Sequence, residues 1–310
     1  MIDISPQAIR ALWARLGLGP ARAIVPAAGG SRNACYFVDD ELVVRFNTLD
    51  AHFRKFANER AAYDLLAGSG LPVPAVLALD ESRALVPYDF IVLTRLPGAN
   101  LAESWRALAP EQLRGLEREA GACLARLHCH SFEAFGKLHA LPKRPFETWP
   151  SYVDDYVRRY LAPARQLALV DAATQARLER ALAAAQGLFA QVRRGALVHC
   201  DFHYENILQQ GGRLSGLLDF EWAISGDPAY DLETARTREA MIPGSEAAFL
   251  EGYRSVRALD EDLDRRVAVY RLFFWLESVV MHARDGKPEA GRQAQLRMRE
   301  QLARVEAARG

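Results

Sequence analysis

Three polar side chains, Asp201, Asn206 and Asp219, stand at a spacing that one turn could bring together. Ile207-Leu208 and Leu214 to Leu218 are strand-like runs, and Gly211 and Gly212 between them suit a tight hairpin. With the turn at Gly212-Arg213, Leu208 faces Leu217, Ile207 faces Leu218 and Asn206 faces Asp219. Opposed residues of an antiparallel pair lie about 4.5–5.5 Å apart at Cα, so an amide carbonyl and a carboxylate arrive together. Two hard oxygens with room for water and phosphate suit Mg²⁺. Asp201, in the loop entering the hairpin, stands beside such an ion without being tied to it. There it can orient a hydroxyl and accept its proton. His199 reads as structural, holding the loop through hydrogen bonds.

Chemistry of this kind also needs cations on phosphates. Leu42-Val43-Val44 is a β-prone run followed by Arg45, and Glu59 lies within the next helical pattern. A guanidinium can hold a carboxylate and a phosphate at once through its planar fork; the competing reading is a solvated surface pair of little worth. Gly29-Gly30-Ser31-Arg32-Asn33, just before the first strand, could offer backbone N–H groups to phosphate. The connector Leu93-Thr94-Arg95-Leu96 offers an edge of backbone donors and acceptors for a base.

Around these residues the elements follow from pattern. Ser5-Pro6 opens a helix that Gly17 and Gly19 stop. Two β-prone runs flank Asp39-Asp40 as a hairpin, and Phe90 to Leu93 is a third strand. From Ala51 to Ala67 a helical stripe of Phe53, Phe56, Ala57, Ala61 and Leu65 is expected. Pro110 opens a helix burying Leu113, Leu116, Ala120, Leu124 and Leu127, and most of the remaining chain is helical apart from an island at 197–218. The expectation is an α+β chain of two lobes: residues 1–95, small, β-rich and nucleotide-binding, and residues 96–310, larger, mainly helical and carrying catalysis and substrate binding.

Composition narrows the partners. The 310 residues carry 39 Lys+Arg and 39 Asp+Glu, a zero balance that argues against nucleic acid, whose binders carry a basic excess. Cys35, Cys123, Cys129 and Cys200 form no C-x-x-C pair and read as reduced thiols. The N-terminus shows no signal-peptide pattern, and the apolar run Leu272 to Met281 is short and broken by Glu277, so no membrane span and a cytoplasmic location are expected.

The order His199-Cys200-Asp201, Asn206, then Asp219-Phe220-Glu221 resembles the protein-kinase template of a catalytic loop followed by a metal-binding Asp-Phe-Gly. Together with Val43-Val44-Arg45, Glu59, Leu71-Pro72-Val73-Pro74, Leu96-Pro97-Gly98, Leu124-Ala125-Arg126-Leu127-His128 and Gly226-Asp227-Pro228-Ala229-Tyr230-Asp231-Leu232, it is similar to the aminoglycoside phosphotransferase and choline kinase-like superfamily. The resemblance implies a protein-kinase-like fold and transfer of a γ-phosphoryl group from ATP or GTP, with Mg²⁺, to a hydroxyl of a small acceptor of aminoglycoside or related type. It implies Asp201 as catalytic base, Asn206 and Asp219 as Mg²⁺ ligands, and a nucleotide site at Gly30, Ser31, Asn33, Arg45, Glu59, Leu93, Thr94 and Leu96. His203, Glu205, Glu221 and Trp275 are candidates for the acceptor, and Asp227 for a helix cap. The chain departs from the family at Cys200, where glycine is frequent, and at Arg45, a lysine in the antibiotic-modifying prototypes. A non-catalytic nucleotide binder and a hydrolase with its metal on His199, Asp201 and His203 are the rival readings. A monomer or homodimer is expected.

Overall fold

The computed structural model describes residues 4–27, 33–48, 55–143 and 145–308. Ser5 caps α1 (Pro6–Leu16): its hydroxyl accepts the Ala8 N–H at 3.2 Å, proline takes the first helical position, and Gly17 ends the helix at φ +67°. Five strands follow as one antiparallel sheet, β1 (Ile24–Pro26), β2 (Asn33–Val38), β3 (Leu42–Asn47), β4 (Val76–Asp80) and β5 (Asp89–Thr94), in the order β1-β2-β3-β5-β4. Asp39 and Asp40 turn the β2–β3 hairpin at φ +52° and +58°, which short acidic side chains tolerate.

Alternation along the strands decides what faces the site. Val44, Phe46, Phe90 and Val92 pack with Ile9, Leu12 and Trp13 of α1. Residues between them point to the opposite face, where Ile91 and Leu93 meet α2 (Lys55–Leu66). Arg45, between Val44 and Phe46 and opposite Ile91, is therefore aimed at α2. The buried face of α2 differs from the expected stripe. Ala57 and Ala61 are only half buried and Leu65 is 39% exposed, whereas Phe56, Asn58, Glu59, Ala62, Tyr63 and Leu66 are buried. Polar residues share that face because it borders a charged cleft as well as the core. Phe53 lies outside the described residues.

The second lobe begins with β6 (Ala99–Asn100), α3 (Leu101–Ser104) and α4 (Pro110–Leu127). It continues through β7 (Ser131–Phe132), β8 (Gly136–Lys137), α5 (Trp149–Gln166), α6 (Ala172–Phe189), β9 (Gly195–Val198), β10 (Ile207–Gln210), β11 (Arg213–Leu217) and β12 (Ile224–Gly226). Four helices close it: α7 (Ala229–Met241), α8 (Ser245–Arg254), α9 (Leu263–Arg284) and α10 (Pro288–Ala307). The expected leucine and alanine face of α4 is buried throughout. Where α4 crosses α8, Gly121 and Gly252 leave no room for a Cβ against Phe249 and Arg118, so this close crossing rests on two missing side chains. Two small sheets, β11-β10-β6 and β7-β9-β12-β8, belong to the second lobe, and the Leu217 N–H of β11 donates to the Pro72 carbonyl at 2.8 Å. The fold is thus two-lobed and kinase-like. Among the described residues, no helix is long and apolar enough to cross a membrane.

Candidate active site

The chain leaves β9 at Val198 and turns sharply. His199 is fully buried, and its main-chain N–H donates to Asp231 Oδ2 at 2.7 Å. Its ring Nδ1 accepts the Asp201 N–H at 3.2 Å, so Nε2 carries the proton and donates to the Leu218 carbonyl at 2.9 Å. Burial holds this imidazole below its ordinary pKa despite the nearby carboxylates. One neutral ring therefore ties the Asp201 loop to the strand leading into Asp219. With both nitrogens committed, His199 is no metal ligand, which removes the hydrolase reading. Cys200 turns the loop at φ +67°, in the left-handed region that favours glycine.

Asp201 is paired on both sides. His203 Nε2 lies 2.9 Å from Asp201 Oδ1, and Asn206 Nδ2 donates to Asp201 Oδ2 at 3.0 Å and to its main-chain carbonyl at 2.8 Å. Burial alone would raise the carboxyl's pKa, but the bond and charge of His203, with His199 and Asn206, hold it below the usual range. The side chain remains about one-third exposed, open to a reactant.

The expected hairpin register is corrected. The turn is Gly211-Gly212, Gln210 pairs with Arg213, and a bulge at Leu208/Gln209 shifts the ladder so that Ile207 faces Leu217 and Leu208 faces Gly216. The Leu218 N–H then bonds the Asn206 carbonyl at 2.9 Å, so Asn206 stands opposite Leu218 and Asp219 lies one residue beyond. A bulge places two residues against one; the extra residue is Ser215, beside Gly216 of β11, and it takes back one of the two positions by which the turn differs from the expected Gly212-Arg213. Asp219 adopts φ +64° as the chain leaves the strand.

Beyond this turn five charges meet. Arg45 donates to Glu59 at 2.6 Å, to Asp219 Oδ2 at 3.2 Å and to Glu221 at 3.5 Å, and Lys55 lies 3.5 Å from the same Glu221 oxygen. Glu59 is wholly buried and Arg45 nearly so, unlike a solvated surface pair. Burial pushes the Glu59 carboxyl up to about 7 even beside the guanidinium. It raises Glu221 as well and lowers the Lys55 ammonium. Arg45 is held above its ordinary value because the carboxylates outweigh its own desolvation. Asp219 Oδ1 is buried with no hydrogen-bond partner. An orphan carboxylate oxygen in a cluster where carboxylates outnumber cations, with an amide whose nitrogen is spent on Asp201, is a donor set that fits a hard divalent cation.

The remaining candidates separate. Glu221 was expected toward the acceptor but is buried with Arg45 and Lys55, because the turn after Asp219 carries it to the cation side. Glu205 is exposed, and its carbonyl accepts a bond from Asn100. Trp275 is half buried against the core of α5, α6 and α9. Leu93 is buried, Thr94 Oγ1 accepts the Ala75 N–H at 2.8 Å, and Leu96 packs near Gly216. Asn33 starts β2 with a buried, unpartnered Oδ1, whereas Gly30 and Ser31 lie outside the described residues. Asp227 caps α7 as expected, accepting the Ala229 N–H at 3.0 Å, and also binds Arg266 and Tyr270 of α9.

Sequence reasoning missed three supports. Tyr63 donates to Glu59 at 2.9 Å and accepts the Asp219 N–H at 3.2 Å. Asn58 Nδ2 contacts the carbonyls of Phe220, Glu221 and Ala223 at 2.8–3.3 Å. Lys55 is the third. One helix thus grips the Asp219 turn from one side. Reading α2 as a polar as well as an apolar face would have found all three.

Residues 23–270 match the profile of the phosphotransferase enzyme family. The chain belongs to that family. Viomycin phosphotransferase of Streptomyces vinaceus is 30% identical over 76% of this chain and 82% of its own. Homoserine kinase of Polaromonas naphthalenivorans (strain CJ2) is 28% identical over 79% and 76%. Among solved structures, APH(2'')-IIa superposes with a TM-score of 0.71 in its gentamicin complex, covering 96% of this chain and 97% of that one. Its streptomycin–ATP complex gives 0.69 over 96% and 99%. Both are 14% identical, a likeness of fold. As a member of the phosphotransferase family, this chain is an enzyme with an alcohol group as acceptor.

Proposed function

We propose that the protein transfers the γ-phosphoryl group of ATP or GTP to the hydroxyl of a small metabolite in the cleft between residues 1–95 and 96–310. The observation that carries this reading is the meeting of Arg45 with Glu59, Asp219 and Glu221 beside the Asp201–Asn206 pair. The base lies along Leu93, Thr94 and Leu96, and Arg45, fixed by Glu59, meets the phosphates. Asp219 and Asn206 hold Mg²⁺, which when bound neutralises charge on the phosphate oxygens. Asp201, kept ionised by His203 and Asn206, orients the acceptor hydroxyl and takes its proton as the new O–P bond forms and the bond to the leaving diphosphate breaks. Most of the acceleration is positioning and charge stabilisation. The test is release of ADP or GDP with a panel of acceptor alcohols. Activity should vanish with EDTA, return with Mg²⁺, and fall by about 10²–10⁴ in Asp201→Asn. Wild-type turnover in that variant would sink the role given to Asp201.

A further inference from the structure

The cleft on the helical side of Asp201 carries charges of both signs that phosphate binding does not use. Tyr152, Tyr156 and Tyr160 recur every four residues along α5 and so share one face. Glu277 of α9 accepts the hydroxyls of Tyr156 and of Tyr160, the latter at 2.6 Å, and Tyr230 at the start of α7 brings its hydroxyl within 3.4 Å of Tyr156. These four tyrosines and Cys200, the neighbour of Asp201, pack half-buried against one core. A carboxylate has about four acceptor positions, so two tyrosines leave Glu277 able to receive a further cation.

The opposite sign stands on the sheet whose strand β9 leads into Asp201. Lys137 on β8 pairs with Ile224, which pairs with Val198, three residues before Asp201. Its ammonium donates to the Trp222 carbonyl at 2.7 Å and lies 4.8 Å over that indole. This uses one of its three donors. Through Ile224 and Val198 it neighbours the strand that leads into Cys200, which packs with the tyrosines.

We infer that the acceptor is a zwitterion, a small amino acid bearing a hydroxyl, with its ammonium at Glu277 and the tyrosine faces and its carboxylate at Lys137. This rests on the phosphotransferase reading above and adds the acceptor's charge pattern. Tyrosine faces and one carboxylate suit a single ammonium. A half-buried lysine at the same site repels a polycation, and a simple amino alcohol brings no carboxylate to it. With both ends held, the hydroxyl is presented to Asp201. Its proton passes to that carboxylate as the O–P bond forms and the P–O bond to the leaving diphosphate breaks.

The test compares L-homoserine and L-serine with 3-amino-1-propanol, which lacks the carboxylate, 4-hydroxybutyrate, which lacks the amine, and kanamycin, a polycation. Binding is read by calorimetry and turnover by ADP or GDP release. One of the amino acids should bind at least tenfold tighter than either truncated analogue and kanamycin. In Lys137→Met the preference for amino acid over amino alcohol should shrink to within about threefold, and Glu277→Gln should weaken both amines together. An amino alcohol or kanamycin that binds as tightly as the better amino acid overturns the inference, as does an unchanged preference in Lys137→Met. Turnover of another acceptor without binding of either amino acid would overturn it too, leaving the phosphotransferase reading intact. Selective amino-acid binding with no nucleotide turnover would instead uphold the pocket and sink the transfer reaction.

Discussion

Asp231 Oδ2 accepts the main-chain N–H of His199 at 2.7 Å, and its Oδ1 accepts that of Cys200 at the same distance. The Oδ2 oxygen also meets His128 Nε2 at 3.1 Å, while His128 Nδ1 contacts the Tyr253 hydroxyl at 2.8 Å. One buried carboxylate on α7 thus fixes the two peptides before Asp201 and anchors them to α4 and α8. In Asp231→Asn one oxygen becomes an NH₂ that cannot accept, so one of the two peptide N–H groups loses its partner. Hydrogen bonds to charged groups contribute about 1.5–3 kcal/mol each. The variant should show kcat lowered about tenfold or more with the nucleotide KM nearly unchanged, and a lower Tm. An equal rise in nucleotide KM would mean that Asp231 supports the other side of the cleft.

The positive φ of Cys200 makes a second prediction. A left-handed conformation costs an L-residue roughly 1–2 kcal/mol, and Cys200 bears this at +67° while its thiol packs in the core. Cys200→Gly relieves the strain and loses the thiol's packing, so the two effects should nearly cancel in Tm. Cys200→Val adds a β-branched side chain at the same φ and should be the clearly destabilised one of the pair. A glycine variant as unstable as the valine would show that packing, not conformation, governs this position.

How much of this was legible in the chain depends on the range of the interaction. The α1 cap at Ser5, the β2–β3 hairpin and the buried face of α4 follow local patterns, and all appear. The spacing of Asp201, Asn206 and Asp219 pointed to the right hairpin, but its turn lies one residue earlier, at Gly211-Gly212, and the Leu208/Gln209 bulge brings the register back to within one of the expected pairing; adjacent glycines permit either turn, and Gly216 was the strand glycine that marks the bulge. Glu221 was misplaced because its direction depends on the Asp219 backbone at φ +64°, beside which Tyr63 and Asn58 bond the Asp219 N–H and the Glu221 carbonyl. The Arg45–Glu59 pair was readable because strand alternation fixes one partner and helix phase the other.

The same pair gives a pH-dependent expectation. Glu59 titrates near 4.3 in an unfolded chain and is pushed up to about 7 by burial in the fold. A carboxyl raised on folding supports stability at low pH and loses that support as pH rises through the folded value. Arg45 limits the loss by facing the charged form at 2.6 Å. Removing one partner of a buried pair costs about 3–5 kcal/mol. Arg45→Met should therefore be destabilised in urea much more at pH 8 than at pH 5.5. Equal losses at both would mean that Lys55 takes over the carboxylate.

Lys137 supplies the opposite case. A lysine titrates near 10.4 when unfolded, and burial brings this one to about 8. Below pH 8 the ammonium is charged in both states and its desolvation cost is fully present; as pH climbs from 8 to 10.4 the folded protein sheds the proton first and stability returns. At about 1.4 kcal/mol per pKa unit the cost is at most roughly 3 kcal/mol, less whatever the bond to the Trp222 carbonyl restores. Lys137→Met should accordingly melt above the wild type at pH 7, and the gap should close by about pH 10.5. A stability gain together with lost amino-acid preference would mark Lys137 as a residue that costs the fold in order to serve the acceptor. A Tm that drops at pH 7 would show that the ammonium is structural, with its bond to Trp222 outweighing its desolvation.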